Sequence, residues 1–228
     1  METIETRRWR FKGPEMEGPI ARWYARLRGS ESQLDLYRQQ ARQLTEGLPA
    51  GGRVLEVAPG PGYLAIEIAR TGDFHVTGLD ISRTFVDIAT DNARNAGVSV
   101  DFRQGDAARM PFASGSFDLV ACQAAFKNFA LPRTALAEMH RVLRVGGTAV
   151  IQDMSHDATH ADIEDEVDAM NLGRVSSFTT RATLEMLKRR AYSPYEFRRL
   201  AEASPFGTCA ITTEGIGLEV RLKKETDQ

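Results

Sequence analysis

Apolar residues recur along the chain in two rhythms. From Glu31 to Leu48 they fall at Leu34, Tyr37, Ala41, Leu44 and Leu48, a spacing that puts them on one helical face. Leu48-Pro49-Ala50-Gly51-Gly52 closes that helix. Compact runs then predict strands: Val54 to Val57, Phe74 to Asp80, Val98 to Arg103, Phe117 to Cys122 and Thr148 to Met154. Helical stretches separate them. One runs from Tyr63 to Arg70, and Ser82 caps another that carries Phe85, Ile88, Ala89, Ala93 and Ala96. Pro132 opens a third with Leu136, Met139 and Leu143 inward, and Gly146-Gly147 ends it. Strands alternating with short-linked helices predict an open, doubly wound, mostly parallel α/β sheet.

Beyond Ser155 the alternation stops. An acidic helix (Asp162 to Met170), a basic one (Arg181 to Arg190) and a third near Tyr195 to Ala203 are expected. Two β-like runs follow, Cys209 to Thr213 and Leu218 to Lys223, joined only by Glu214-Gly215-Ile216-Gly217. That link is too short for a crossover, so the pair reads as a C-terminal antiparallel hairpin. At the other end, Thr6 to Arg28 is basic and aromatic (Trp9, Phe11, Trp23, Tyr24) and is interrupted by Pro14 and Pro19.

The 228 residues suit one domain with an embellishment. Residues 1–48 read as an N-terminal helical lid, and residues 49–228 as the main domain with a helical insert at about 158–190. With 29 basic and 31 acidic residues the net charge is −2, which gives no general attraction for nucleic acid. Cys122 and Cys209 are too few for a disulfide framework or an all-cysteine zinc site, and no metal is expected. No apolar run reaches transmembrane length, and Met1 to Lys12 lacks a signal-peptide core, so a cytoplasmic protein without integral membrane contact is expected. Oligomeric state is left open.

The candidate chemistry begins after the first strand. Ala58-Pro59-Gly60-Pro61-Gly62 lets a ligand approach the backbone at the sheet's carboxyl edge. Gly60, Gly62 and Ala65 also satisfy a dinucleotide fingerprint, with Asp80 18 residues beyond Gly62, so a nicotinamide-dependent oxidoreductase is one reading. Glu56 opposes it, because a carboxylate beside the turn repels a pyrophosphate and suits a cation. Gly105-Asp106-Ala107 adds a further acid to the same rim, able to accept from an exocyclic amine. Glu56, Asp80 and Asp106 together describe a ligand with an ammonium, a ribose diol and an adenine, and no phosphate.

In these blocks, and in Gly78-Leu79-Asp80-Ile81-Ser82, Ser116-Phe117-Asp118-Leu119-Val120 and Ala135 to Gly147, the chain resembles the class I S-adenosylmethionine-dependent methyltransferases. The resemblance runs from about Arg53 to Asp153 and implies a Rossmann-like three-layer sandwich. It further implies S-adenosylmethionine as cofactor, S-adenosylhomocysteine as product, and methyl transfer to a small-molecule acceptor by in-line displacement. Ala58, Gly60 and Gly62 would line the methionine end, with Glu56 near its ammonium and Gln123 close by. Asp80 would take the ribose hydroxyls, Ile81 would pack on adenine, and Asp106 and the Ala107 N–H would meet the adenine edge. Tyr24 would cover the cofactor. A catalytically silent cofactor-binding module keeps the same residues and stays open beside the enzyme.

Phe126-Lys127-Asn128 follows the fourth strand, where the stretch resembles the ubiquinone/menaquinone C-methyltransferase branch. The aromatic neighbours would flank a flat acceptor while Lys127 and Asn128 orient its oxygen, against a bland reading as an anchored loop. His156 leaves the fifth strand at the same edge and is, with Tyr24, a candidate catalytic group. His156 and His160, four residues apart, are more simply the start of a solvated helix than metal ligands.

Overall fold

A computed structural model describes residues 16–170 and 173–225 of the chain. Trp9, Phe11 and Pro14, and the part of the expected lid before residue 16, lie outside the described residues.

Two helices lead in, α1 (Gly18–Arg28) and α2 (Glu31–Thr45). Then come β1 (Arg53–Val57), α3 (Tyr63–Thr71), β2 (His75–Asp80), α4 (Arg83–Ala96), β3 (Asp101–Gln104) and β4 (Phe117–Gln123). A 3-10 turn at Phe126–Asn128 precedes α5 (Pro132–Val142) and β5 (Leu143–Met154). The chain continues through α6 (His160–Ala169), α7 (Arg174–Lys188), α8 (Pro194–Glu202), β6 (Ala210–Glu214) and β7 (Gly217–Lys223).

The seven strands are ordered β3-β2-β1-β4-β5-β7-β6. β1 to β5 are parallel, and β7 pairs antiparallel with both β5 and β6. The expected parallel sheet with a terminal hairpin is what forms. Alternation along the buried strands divides the interior in two. Leu55, Val57, Ala149 and Ile151 face α5 and α8, where Leu136, Met139, Phe197 and Leu200 close one layer. Val54, Leu119, Ala121 and Val150 face α2 and α3, meeting Tyr37, Ala41, Leu64 and Ile68. α2 is therefore part of the sandwich, whereas α1 contributes no residue to either layer. The insert has its own small core of Met154, Ala158, Ile163, Val167 and Ala191.

Local expectations hold where side chains make them. Ser82 caps α4, its hydroxyl accepting from the Phe85 N–H at 3.0 Å. Five boundaries are corrected. Pro19 opens α1 instead of interrupting it, because a first-turn proline gives up only an N–H the helix would leave unpaired. β3 begins at Asp101, not Val98: Gly97 turns left-handed and the N–H groups of Gly97 and Val98 go back to the last turn of α4. α5 ends at Val142, and Leu143 already belongs to β5. Gly146, at φ +80°, accompanies a register shift within the strand instead of ending the helix. α6 starts at His160, where Thr159 and Asp162 form a capping box, and α7 starts at Arg174, seven residues before the expected Arg181.

Candidate active site

Strand order reverses between β1 and β4, and their carboxyl ends frame a cleft. Both ends bend sharply at alanine. Ala58 (φ +58°) follows β1, and Ala124 (φ +54°) follows β4. Each donates its N–H to the next strand outward, Ala58 to the Leu79 carbonyl at 2.8 Å and Ala124 to Gln152 at 2.7 Å. The left-handed region costs an alanine roughly 1–2 kcal/mol, and such strain collects at functional sites. Past Ala58 the turn closes with the Gly62 N–H on the Pro59 carbonyl, and a Cβ on Gly62 would come within 2.6 Å of Phe102. The glycine there serves helix packing as well as backbone conformation.

Glu56 lies one residue before the end of β1, flanked in register by Gly78 and Ala121. It is 2% exposed. Burial pushes its carboxyl up to about 8, the Ala65 N–H opposes the rise, and the charge of Asp80 adds to it. Its Oε2 has no hydrogen-bond partner among the described residues. A buried acceptor left unmet beside the cleft fits an ammonium donor, as on the methionine end of the expected cofactor.

Asp80, at the end of β2, is also buried. Its two oxygens accept from the Gly60 N–H and the Ser82 N–H, each at 2.9 Å, which ties the glycine turn to the start of α4. Burial raises its carboxyl above the usual range, and those two N–H groups pull it back. Ile81 beside it is 57% exposed, an apolar surface open to a flat ring. Asp106 is exposed and accepts from the Ala108 N–H at 2.8 Å, while Ala107 is half-buried against the core. Glu56, Asp80, Ile81 and Asp106 thus follow one another along the carboxyl ends of β1, β2 and β3.

Helix α1 is clipped over this rim. Glu17 accepts from the Arg83 and Thr84 N–H groups and from the Thr84 hydroxyl, and the Ser82 hydroxyl donates to the Met16 carbonyl at 2.8 Å. Those bonds hold the Glu17 carboxyl below its ordinary range. Tyr24 meets Phe85 edge-on at 6.0 Å between ring centres, and the Tyr63 hydroxyl donates to the Ala25 carbonyl at 3.0 Å. From α2, Tyr37 accepts from the Arg28 guanidinium at 2.9 Å, and burial pushes its phenol up to about 12. Gln40 accepts from Gln123 at 2.5 Å, so Gln123 reaches the cleft already paired. Glu17 and Gln40 carry no mark in the sequence of a place at this rim. Tyr37 is visible there only as part of an apolar stripe.

The acceptor-side candidates are placed differently. Phe126 is fully buried against Phe129, Tyr192 and Phe197, with centroids 5.1–5.7 Å apart, and has no face for a ligand. Lys127 is buried too. Its ammonium donates to Asp153 and to the Ala124 carbonyl, both at 2.6 Å, so it braces the bend after β4. The flanking and orienting roles expected of Phe126 and Lys127 are corrected to structural ones, and only Asn128 of the three is exposed. His156 is exposed beside Asp157, two strands away from β1. His160 pairs with Glu164 and Glu185 and so joins α6 to α7. Burial holds the Cys122 thiol well above its ordinary value.

A surface depression of about 570 Å³ lies elsewhere, along α4 and β3. Its arginines 83, 94 and 103 are already paired with Asp87, Asp91 and Asp101. The unmet carboxylate oxygen of Glu56 marks the carboxyl-edge cleft as the better candidate.

Comparison with known proteins agrees with this geometry. Residues 55–151 match the family described as a methyltransferase domain. A demethylmenaquinone methyltransferase of Deinococcus radiodurans is 42% identical over 100 residues, which covers 43% of this chain and 42% of that protein. The chain therefore matches less than half the length of that relative. Among solved structures, a Methanococcus maripaludis protein assigned as an S-adenosyl-L-methionine-dependent methyltransferase shares the fold, with a TM-score of 0.71 at 19% identity, over 96% of this chain and 98% of that one. The [4+2]-cyclase SpnF is similar over 55% of this chain and 47% of its own, with 30% identity and a TM-score of 0.51.

Proposed function

We propose that residues 55–151, which match a methyltransferase domain, form one of the class I S-adenosylmethionine-dependent type, and that the chain moves a methyl group from S-adenosylmethionine to a small-molecule acceptor, in the cytoplasm. The cofactor supplies an electrophilic methyl group on a sulfonium. Glu56 receives the ammonium, Asp80 the ribose diol, Ile81 the adenine face, and Asp106 with the Ala107 N–H the adenine edge. The observation that carries this reading is the buried Glu56 carboxylate with an oxygen left unmet beside a turn of small residues.

What the rest of the chain does is hold and exclude. α1, clipped to α4 by Glu17, covers the ribose corner and keeps water from the cleft, the role expected of a lid. Lys127 and Asp153 keep the bend at Ala124 in place, so the acceptor meets a fixed wall. Tyr24 is the better placed catalytic candidate, since α1 brings it to the rim while His156 sits two strands away.

A quinone-type aromatic acceptor is the specific class that the relative's name favours. The cyclase among the structural relatives shows that the fold alone does not dictate the reaction.

The test is ligand binding followed by transfer. S-adenosylhomocysteine should raise the melting temperature and NAD(H) should not, and Asp80→Ala should lose the effect. Methyl-labelled cofactor with a cell extract should then yield a labelled small molecule. Protection by NAD(H) alone would overturn the cofactor assignment. Binding without a labelled product in any extract would leave a silent binding module.

A further inference from the structure

Helix α1 carries two faces of opposite character. Ala21 and Ala25 are buried, and their small side chains let the helix lie close to the rim. Ile20, Trp23 and Leu27 are 50%, 62% and 58% exposed and, three and four residues apart, form one apolar stripe turned away from the cleft. Arg22 and Arg26 run along one side of that stripe and are also exposed. No ion pair engages either among the described residues.

The orientation of these faces is held by the protein. The Glu17 carboxylate on the start of α4, the Met16 carbonyl under Ser82, Tyr24 against Phe85 and the Ala25 carbonyl on Tyr63 all grip the inner side. The apolar stripe is thus presented outward.

Charge indicates what it meets. Residues 6–28 contain seven basic residues (Arg7, Arg8, Arg10, Lys12, Arg22, Arg26, Arg28) and two acidic ones (Glu15, Glu17), in a chain whose net charge is −2. An exposed tryptophan between aliphatic side chains, edged by arginines, is the composition of a helix lying in a lipid headgroup region. Arginines there meet acidic headgroups, and the indole sits at the boundary between apolar and wet layers. A protein partner would also cover an apolar stripe, but the basic excess favours an acidic surface over a neutral one.

We propose that α1 is a membrane-surface helix, which docks the protein on anionic lipid through Ile20, Trp23 and Leu27 with Arg22 and Arg26 on the headgroups. Docking brings the helix that lies over the rim of the cleft to the bilayer surface. The binding itself does not depend on the reaction proposed above.

The chain has two tryptophans, Trp9 and Trp23, so a Trp9→Phe background isolates the indole of interest. The full chain would be mixed with vesicles of phosphatidylcholine alone and with vesicles containing about one-third phosphatidylglycerol. Trp23 emission should shift to the blue on the anionic vesicles and be quenched by brominated acyl chains. Sedimentation with those vesicles should fall roughly tenfold in Arg22→Glu/Arg26→Glu and in Ile20→Ser/Leu27→Ser. Melting curves of both variants with S-adenosylhomocysteine report whether fold and cleft survive. Unchanged emission on anionic vesicles overturns the proposal, as does equal sedimentation of the folded variants. A shift produced by RNA and not by vesicles would reassign the surface to nucleic acid.

Discussion

The two sides of the cleft meet their polar groups in opposite ways. On the β1–β3 side, Glu56 is buried with an oxygen unmet, and Asp80 is held only by backbone N–H groups. On the β4–β5 side, Lys127 and Asp153 satisfy each other within 2.6 Å, and each is about 5% exposed. A buried polar group without a partner is costly and implies a ligand, whereas a buried pair already matched implies a brace. The same rim thus holds a recognition half and a scaffold half, and only the first announces what it binds.

The strongest test of that contrast is to break the brace. Lys127→Met leaves the Asp153 carboxylate buried and uncompensated and should cost about 3–5 kcal/mol of stability in urea unfolding. Adding Asp153→Asn should recover part of the loss. A Lys127→Met protein of wild-type stability would show that the pair is no brace. On the other side, Asp80→Ala should weaken S-adenosylhomocysteine binding by about 1–3 kcal/mol by calorimetry, since Gly60 and the ribose both lose their acceptor. Wild-type affinity would remove Asp80 from the recognition half.

The next effect is a dependence on pH. Because the folded Glu56 carboxyl sits near 8 against an ordinary 4.5, its contribution to the empty protein's stability is intact below 4.5 and is lost as pH rises toward 8. A bound ammonium needs the ionised form, so ligand binding should release a proton. Affinity should then strengthen roughly tenfold between about pH 6 and pH 7. Glu56→Gln should flatten both profiles, and a flat wild-type profile would mean the carboxylate is already ionised. The smallest effect belongs to the insert surface: Phe178→Ser, at a site 69% exposed, should alter stability by no more than about 0.5 kcal/mol.

Much of this architecture was readable before any coordinates. Alternating runs separated by short turns left few topologies, and a four-residue link between the last two strands allowed only a hairpin. What escaped is instructive. The glycines at 146 and 147 look like a helix stop, yet they serve a bend inside β5, because local sequence does not distinguish the two uses. The start of α7 is rich in hydroxyl residues (Ser176, Ser177, Thr179, Thr180), whose weak helix preference is overridden by packing on α6. At the candidate site, Glu56 and Asp80 stand out in the sequence because they sit at strand ends. Glu17 and Gln40 do not, since their partners lie 66 and 83 residues away. Position also exposed Phe126 and Lys127 as candidates, but burial, which position does not encode, removed them.

The place of β7 between β5 and β6 bears on how the polypeptide matures. As the ribosome releases the chain, β5 emerges with Ala149, Val150 and Ile151 along it and one edge bare. Its antiparallel neighbour follows only after the insert, α8 and β6 have been made. During that interval a hydrophobic strand offers unpaired amides to any passing chain, a hazard for aggregation and an occasion for chaperones. Nascent molecules stalled before Gly217 should therefore be the sticky ones.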